Sequence, residues 1–65
     1  MIREAILTAL KEQKISQRRC AMTNEINYNS FNNFLNNRRP MPVHDIEKVL
    51  RYLGLKIRPD ELKNM

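Results

Sequence analysis

The sequence predicts an all-α domain of four to five short helices, and three observations carry that prediction. Apolar residues recur at helical spacing in three stretches, around residues 2–10, 31–35 and 43–53. Ser16 and Asn27 stand where a helix start needs a side-chain acceptor for its orphan N–H groups. The breakers Pro40, Pro42 and Gly54 fall between these stretches or at their ends, not inside them.

Taken in order, Ile2, Ala5, Ile6, Leu7 and Leu10, with Arg3, Glu4 and Lys11 between them, predict a first helix over about 2–13. Glu12-Gln13-Lys14 is polar, and Ile15 is expected to plug the core as the chain turns. Ser16 caps a second helix at 17–23, with Cys20 and Ala21 inward. Asn24 to Asn27 reads as a turn, and Asn27 caps a third helix at 28–36. Arg38-Arg39-Pro40-Met41-Pro42 interrupts the pattern, because each proline biases its predecessor away from α. Pro42 suits the first turn of a fourth helix, whose inner stripe is Val43, Ile46, Val49, Leu50 and Leu53. Asp45 and Glu47 early and Arg51 late match the macrodipole, and Gly54 ends the helix. Beyond it, Leu55 and Ile57 alternate with Lys56 and Arg58 as in an extended segment. Pro59 to Leu62 equally suits a last helical turn.

Sixty-five residues make one domain, 1–65, close to the size at which a single apolar core just suffices. A deep catalytic cleft is hard to build at that size, and no acid–base pair or nucleophile–base constellation is present, so an enzyme is not expected. Twelve Lys and Arg against seven Asp and Glu give a net charge of +5, which favours an acidic partner, most commonly nucleic acid. No apolar run is long enough to span a membrane, and Met1-Ile-Arg-Glu does not open a signal peptide. A single cysteine excludes an internal disulfide and fits a reducing cytoplasm. Cys20 reads as a small buried hydrophobe and His44 as a surface residue of a first helical turn. Standing alone as soft ligands, they make a zinc site improbable. With one glycine there is no phosphate-cradling loop, and neither a cofactor nor a small-molecule ligand is expected.

The stretch Asn27 to Asn37, NYNSFNNFLNN, carries the most specific signal. At 100° per residue, Phe31, Phe34 and Leu35 share one side, while Asn29, Asn32, Asn33, Asn36 and Asn37 fall on the other. Asn costs up to ~0.7 kcal/mol against Ala in a helix, so five would cost roughly 2–3 kcal/mol. A carboxamide carries two donors and an acceptor and can bond an adenine edge bidentately in the major groove. Arg18 and Arg19 precede the stretch and Arg38 and Arg39 follow it. Compositional drift in an AT-biased genome is the bland alternative. The aromatic pair could instead stack on unpaired bases, but its spacing with Leu35 fits a core.

Two short helices joined by about four residues, Ser16 to Asn36, are the sequence form of a helix-turn-helix. Its demands are met one by one. Ala21 is small where the helices cross, Ile26 is the apolar residue of the turn, and Gln17 opens the first helix with a polar side chain. The segment resembles the phage repressor and Cro-like (Xre-type, lambda-repressor-like) family. Gln17, Ala21, Ile26, Phe31 and Phe34 stand at the family's first, fifth, tenth, fifteenth and eighteenth motif positions, and RRPMP followed by a helix ending in Leu-Gly is similar to its continuation. The likeness covers about residues 3–57. One departure is Glu25 at the ninth position, where the family usually has glycine with positive φ. Asn24 tolerates that conformation better, so the turn is expected one residue earlier.

The resemblance implies base reading from Tyr28, Asn29, Asn32 and Asn33, with Ser30 a weaker candidate, and phosphate contact from Gln17, Asn36, Arg38 and Arg39. Arg18 and Lys14 are added from charge alone. Tyr28 lies at the border of the two faces, and contact with DNA and packing at the helix start are both open to it. The expected function is sequence-specific binding of double-stranded DNA at a palindromic operator by a cytoplasmic, nucleoid-associated homodimer. The dimer contact is expected in the segment left over after the core is assigned, at Tyr52, Leu55, Ile57 and Leu62. Rival readings are an antitoxin that represses its own operon and a protein-interaction module that uses the same fold without DNA.

Overall fold

A computed structural model describes residues 2–56, and these form four helices with no strand among them. They are α1 (Ile2–Gln13), α2 (Gln17–Thr23), α3 (Tyr28–Leu35) and α4 (Val43–Leu53). The Ser16 hydroxyl accepts from the Arg19 N–H at 3.0 Å and opens α2; the Asn27 side-chain Oδ1 accepts from the Ser30 N–H at 3.1 Å and opens α3. Pro42 stands one place before α4, at its cap and not within its first turn, and contributes no side-chain bond.

All four helices stop in the same way. Lys14, Glu25, Asn37 and Gly54 each take a left-handed backbone, with φ of 57°, 57°, 58° and 75°. The next residue's N–H then reaches back five positions: Ile15 to Leu10, Ile26 to Ala21, Arg38 to Asn33 and Leu55 to Leu50, at 2.9, 2.8, 2.8 and 2.8 Å. These are Schellman ends, in which the left-handed residue turns the chain so that orphan carbonyls are satisfied. The positive φ in the α2–α3 turn thus sits at Glu25 and not at Asn24, whose φ is −95°. Asn24 is held otherwise, its amide donating to the Cys20 carbonyl at 2.8 Å.

The third helix is one residue shorter than expected, with Asn36 as its C-cap. This changes the account of its asparagines. Only Asn29, Asn32 and Asn33 lie inside the helix, whereas Asn27 is the N-cap and Asn37 the left-handed residue, places that favour Asn. The propensity cost falls to about 2 kcal/mol or less.

The core joins Ile2, Ile6, Ala9 and Leu10 of α1 to Cys20 and Ala21 of α2, to Phe31, Phe34 and Leu35 of α3 and to Ile46, Val49, Leu50 and Leu53 of α4. Helix α3 packs on α2 and α1, and α1 packs on α4. Ile26 is buried in the turn as expected, and Ile15 packs on the core from its Schellman position. Four residues differ from expectation. Leu7, 100° round from Ile6, is exposed, and Ala9 takes the inner place. Val43 is 48% exposed, because the first side chain of a helix tilts off its end. Met41, between two prolines and outside any periodic pattern, is buried and anchors the α3–α4 loop. The Gln13 side-chain amide donates to the Leu53 carbonyl at 2.9 Å and ties the end of α1 to the end of α4.

Leu55 and Lys56 carry no regular structure. The expected elements at Ile57 and at Pro59–Leu62 lie outside the described residues, as do Ile57 and Leu62 as dimer contacts. Among the described residues no helix is long and apolar enough to cross a membrane.

Candidate nucleic-acid interface

Burial of Phe31, Phe34 and Leu35 fixes the rotation of α3. The remaining arc then has no choice but to face outward: Asn29 and Ser30 are exposed, and Tyr28, Asn32 and Asn33 are partly so. No acidic residue occurs on α3. Those five are the residues expected to read bases, and the fold brings them together on one surface.

Helix α2 grips this surface at two points. The Asn32 amide donates to the Gln17 side-chain oxygen at 3.1 Å, which couples the first residue of α2 to the second turn of α3. The Arg18 guanidinium lies 4.7 Å from the centre of the Tyr28 ring, a cation–π contact that holds the ring over the start of α3. Tyr28 is at the same time packed against the core. Its polar tip and apolar body therefore serve different neighbours. Neither contact was legible in the sequence, since residues 15 and 10 apart have no local signal to announce them.

The candidate phosphate residues divide. Arg38 and Arg39 are exposed directly after α3. Arg38 occupies the position after the left-handed residue where the other three helices carry Ile15, Ile26 and Leu55. An apolar side chain there would lock the helix end onto the core; arginine forgoes that and puts a charge at the end of the carboxamide face. Lys14 and Arg18 are exposed as well. Gln17 is half-buried and already accepts from Asn32, which leaves its amide nitrogen to donate outward. The Asn36 amide bonds the Asn32 carbonyl at 2.9 Å and is committed to closing its own helix.

Between residues 14 and 39 the chain has five basic side chains, Lys14, Arg18, Arg19, Arg38 and Arg39, against one acid, Glu25. Among the described residues the carboxylate within ion-pair distance of a basic side chain is that of Asp45, beside His44 and Lys48, so none of the five bases is neutralised there by a carboxylate. Helix α1, by contrast, balances Arg3 and Lys11 against Glu4 and Glu12. The excess positive charge is concentrated on the elements that carry the asparagines.

Two expected dimer contacts, Tyr52 and Leu55, are half-buried and pack on the protomer's own core. Cys20 is fully buried, and burial pushes its thiol up in pKa, partly offset by the Asn24 amide. Among the described residues no three His, Cys, Asp or Glu side chains gather where they could hold a metal ion. Comparison with protein-family models, curated proteins and solved structures finds no match for this chain.

Proposed function

We propose that this chain binds double-stranded DNA in a sequence-specific manner, as a small phage or prokaryotic transcription regulator of the lambda-repressor-like helix-turn-helix type. The observation that carries the reading is the orientation of α3. Its apolar side is wholly consumed by the core, and what it offers to solvent is carboxamide and hydroxyl, with no acid on the helix and arginines at both ends. Affinity would come from Lys and Arg neutralising phosphates, and sequence from the amide edges. The location implied is the cytoplasm, on the nucleoid.

Size supports a dimer. The Cα trace extends 28 × 22 × 18 Å, too little to set two separate reading helices into major grooves ~34–36 Å apart on one side of the duplex. One copy reads a few base pairs, and two copies related by a two-fold axis read a palindrome.

Selection from a pool of random duplex DNA tests the proposal. A palindromic consensus is expected, with affinity that falls steeply as salt rises. Recovery of no consensus, with binding no tighter than nonspecific, would leave the same fold as a protein-docking module. Control of a toxin gene on the same operon would be a matter of which promoter contains the consensus, since the chemistry of binding is shared.

A further inference from the structure

On the side of α1 turned away from the core, Glu4, Leu7, Thr8 and Lys11 form an exposed stripe. Their i, i+3, i+4, i+7 spacing puts them on one line along the helix. Leu7 is, with Met22 and Val43, one of the exposed large apolar side chains among the described residues. Neither Glu4 nor Lys11 takes part in an ion pair among the described residues.

The order of these four residues has a symmetry of its own. Reversed about its midpoint, the stripe sets Glu4 against Lys11 and Leu7 against Thr8. A second α1 running antiparallel therefore meets it with opposite charges at both ends and with Leu7, Thr8 and their copies at the axis. Thr8 and neighbouring Ala5 are small, which allows the 8–10 Å approach of packed helices, about that distance being usual. From this self-complementarity we infer that the outer face of α1 is the surface on which a second copy of this chain docks, as an antiparallel pair with reciprocal Glu4–Lys11 ion pairs. The inference deepens the dimer half of the proposed function. It places the contact on α1, because Tyr52 and Leu55 are already engaged within the protomer.

The simpler reason for Glu4 in the first turn and Lys11 in the last is attraction to the helix's own dipole. Charge reversal separates the two. In sedimentation without DNA, the wild type is expected to dimerise, and Glu4→Lys and Lys11→Glu are each expected to weaken the dimer by about tenfold or more through like-charge contacts at both ends. Mixing the two variants restores opposite charges across the axis, so the equimolar mixture should form a heterodimer. The double variant E4K/K11E should pair with itself. An effect confined to each helix's dipole predicts no rescue on mixing and makes the double variant the worst of all. Far-UV circular dichroism of each variant checks that α1 remains folded. The surface is wrong if the wild type is monomeric, if single reversals leave dimerisation unchanged, or if the mixture stays monomeric. A monomeric wild type that still selects a palindrome overturns this surface alone. A dimer that obeys the charge rules but has no duplex preference overturns the DNA reading alone.

Discussion

Glu25 holds a left-handed backbone at φ 57°, in a turn where a side chain has no steric reason to be. For a residue other than glycine that conformation costs roughly 1–2 kcal/mol. Glu25→Gly is therefore expected to stabilise the domain and to raise Tm by about 4–8 °C for each kcal/mol recovered. Thermal unfolding measures it, and a lower Tm would mean that Glu25 makes a compensating contact. On the α3 face, Asn29→Ala or Asn33→Ala should cost about 1–3 kcal/mol at a single base pair and relax the preference there, with A·T the pair expected. A consensus made only of G·C pairs would count against those residues as readers. Cys20 gives a pH dependence. Its folded pKa is raised by burial, so its contribution to stability is complete below the ordinary thiol range. That contribution is lost as pH climbs toward the folded value, because the unfolded chain ionises first. Urea midpoints should fall above about pH 8.5, and Cys20→Ala should remove that part of the slope. The same slope in both proteins would assign it to other groups.

At the scale of elements, the end of α3 shares the backbone of the other three but not the apolar residue that follows the left-handed position. Arg38 replaces the apolar lock, and Arg39 follows it into solvent. Arg38→Ala with Arg39→Ala should weaken binding to every duplex by a similar factor. It should also reduce the dependence of log K on log salt by ~0.9 for each phosphate that is no longer neutralised. Titrations of one specific and one random duplex at several salt concentrations check this; an unchanged slope means that the α3–α4 loop does not touch the backbone. Specificity should survive, since phosphate contacts position the protein without reading sequence. The sequence foretold this element well. The caps at Ser16 and Asn27, the buried trio of α3 and the buried Ile26 all follow from rules that act within a turn or two of helix.

At the scale of the molecule, side chains from the four helices, joined by Ile26 and Met41 of the connections, form one core, with Phe31 fully buried in it. Truncating a buried Phe costs about 3–5 kcal/mol, against a total of about 5–15 kcal/mol for a typical domain and near the low end for one this small. Phe31→Ala should therefore be largely unfolded at 37 °C, as urea titration at lower temperature would reveal by a midpoint shifted close to zero denaturant. A modest shift instead would mean that neighbouring helices collapse into the space.

The sequence by itself determined where α1, α2 and α3 begin, the apolar side of α3, and that basic residues flank it. All of these depend on periodicity and on groups a few residues apart. Tertiary structure alone decided that Ala9 and Met41 enter the core while Leu7 and Val43 do not, because burial depends on what stands opposite. It also decided that Glu25 bears the strained turn, and that Gln17 holds Asn32 and Arg18 covers Tyr28. Contacts between residues 10 to 15 apart depend on how α2 crosses α3. That crossing depends on how buried residues of one core, Ala21, Ile26 and Phe31 among them, fit together, which no local pattern encodes.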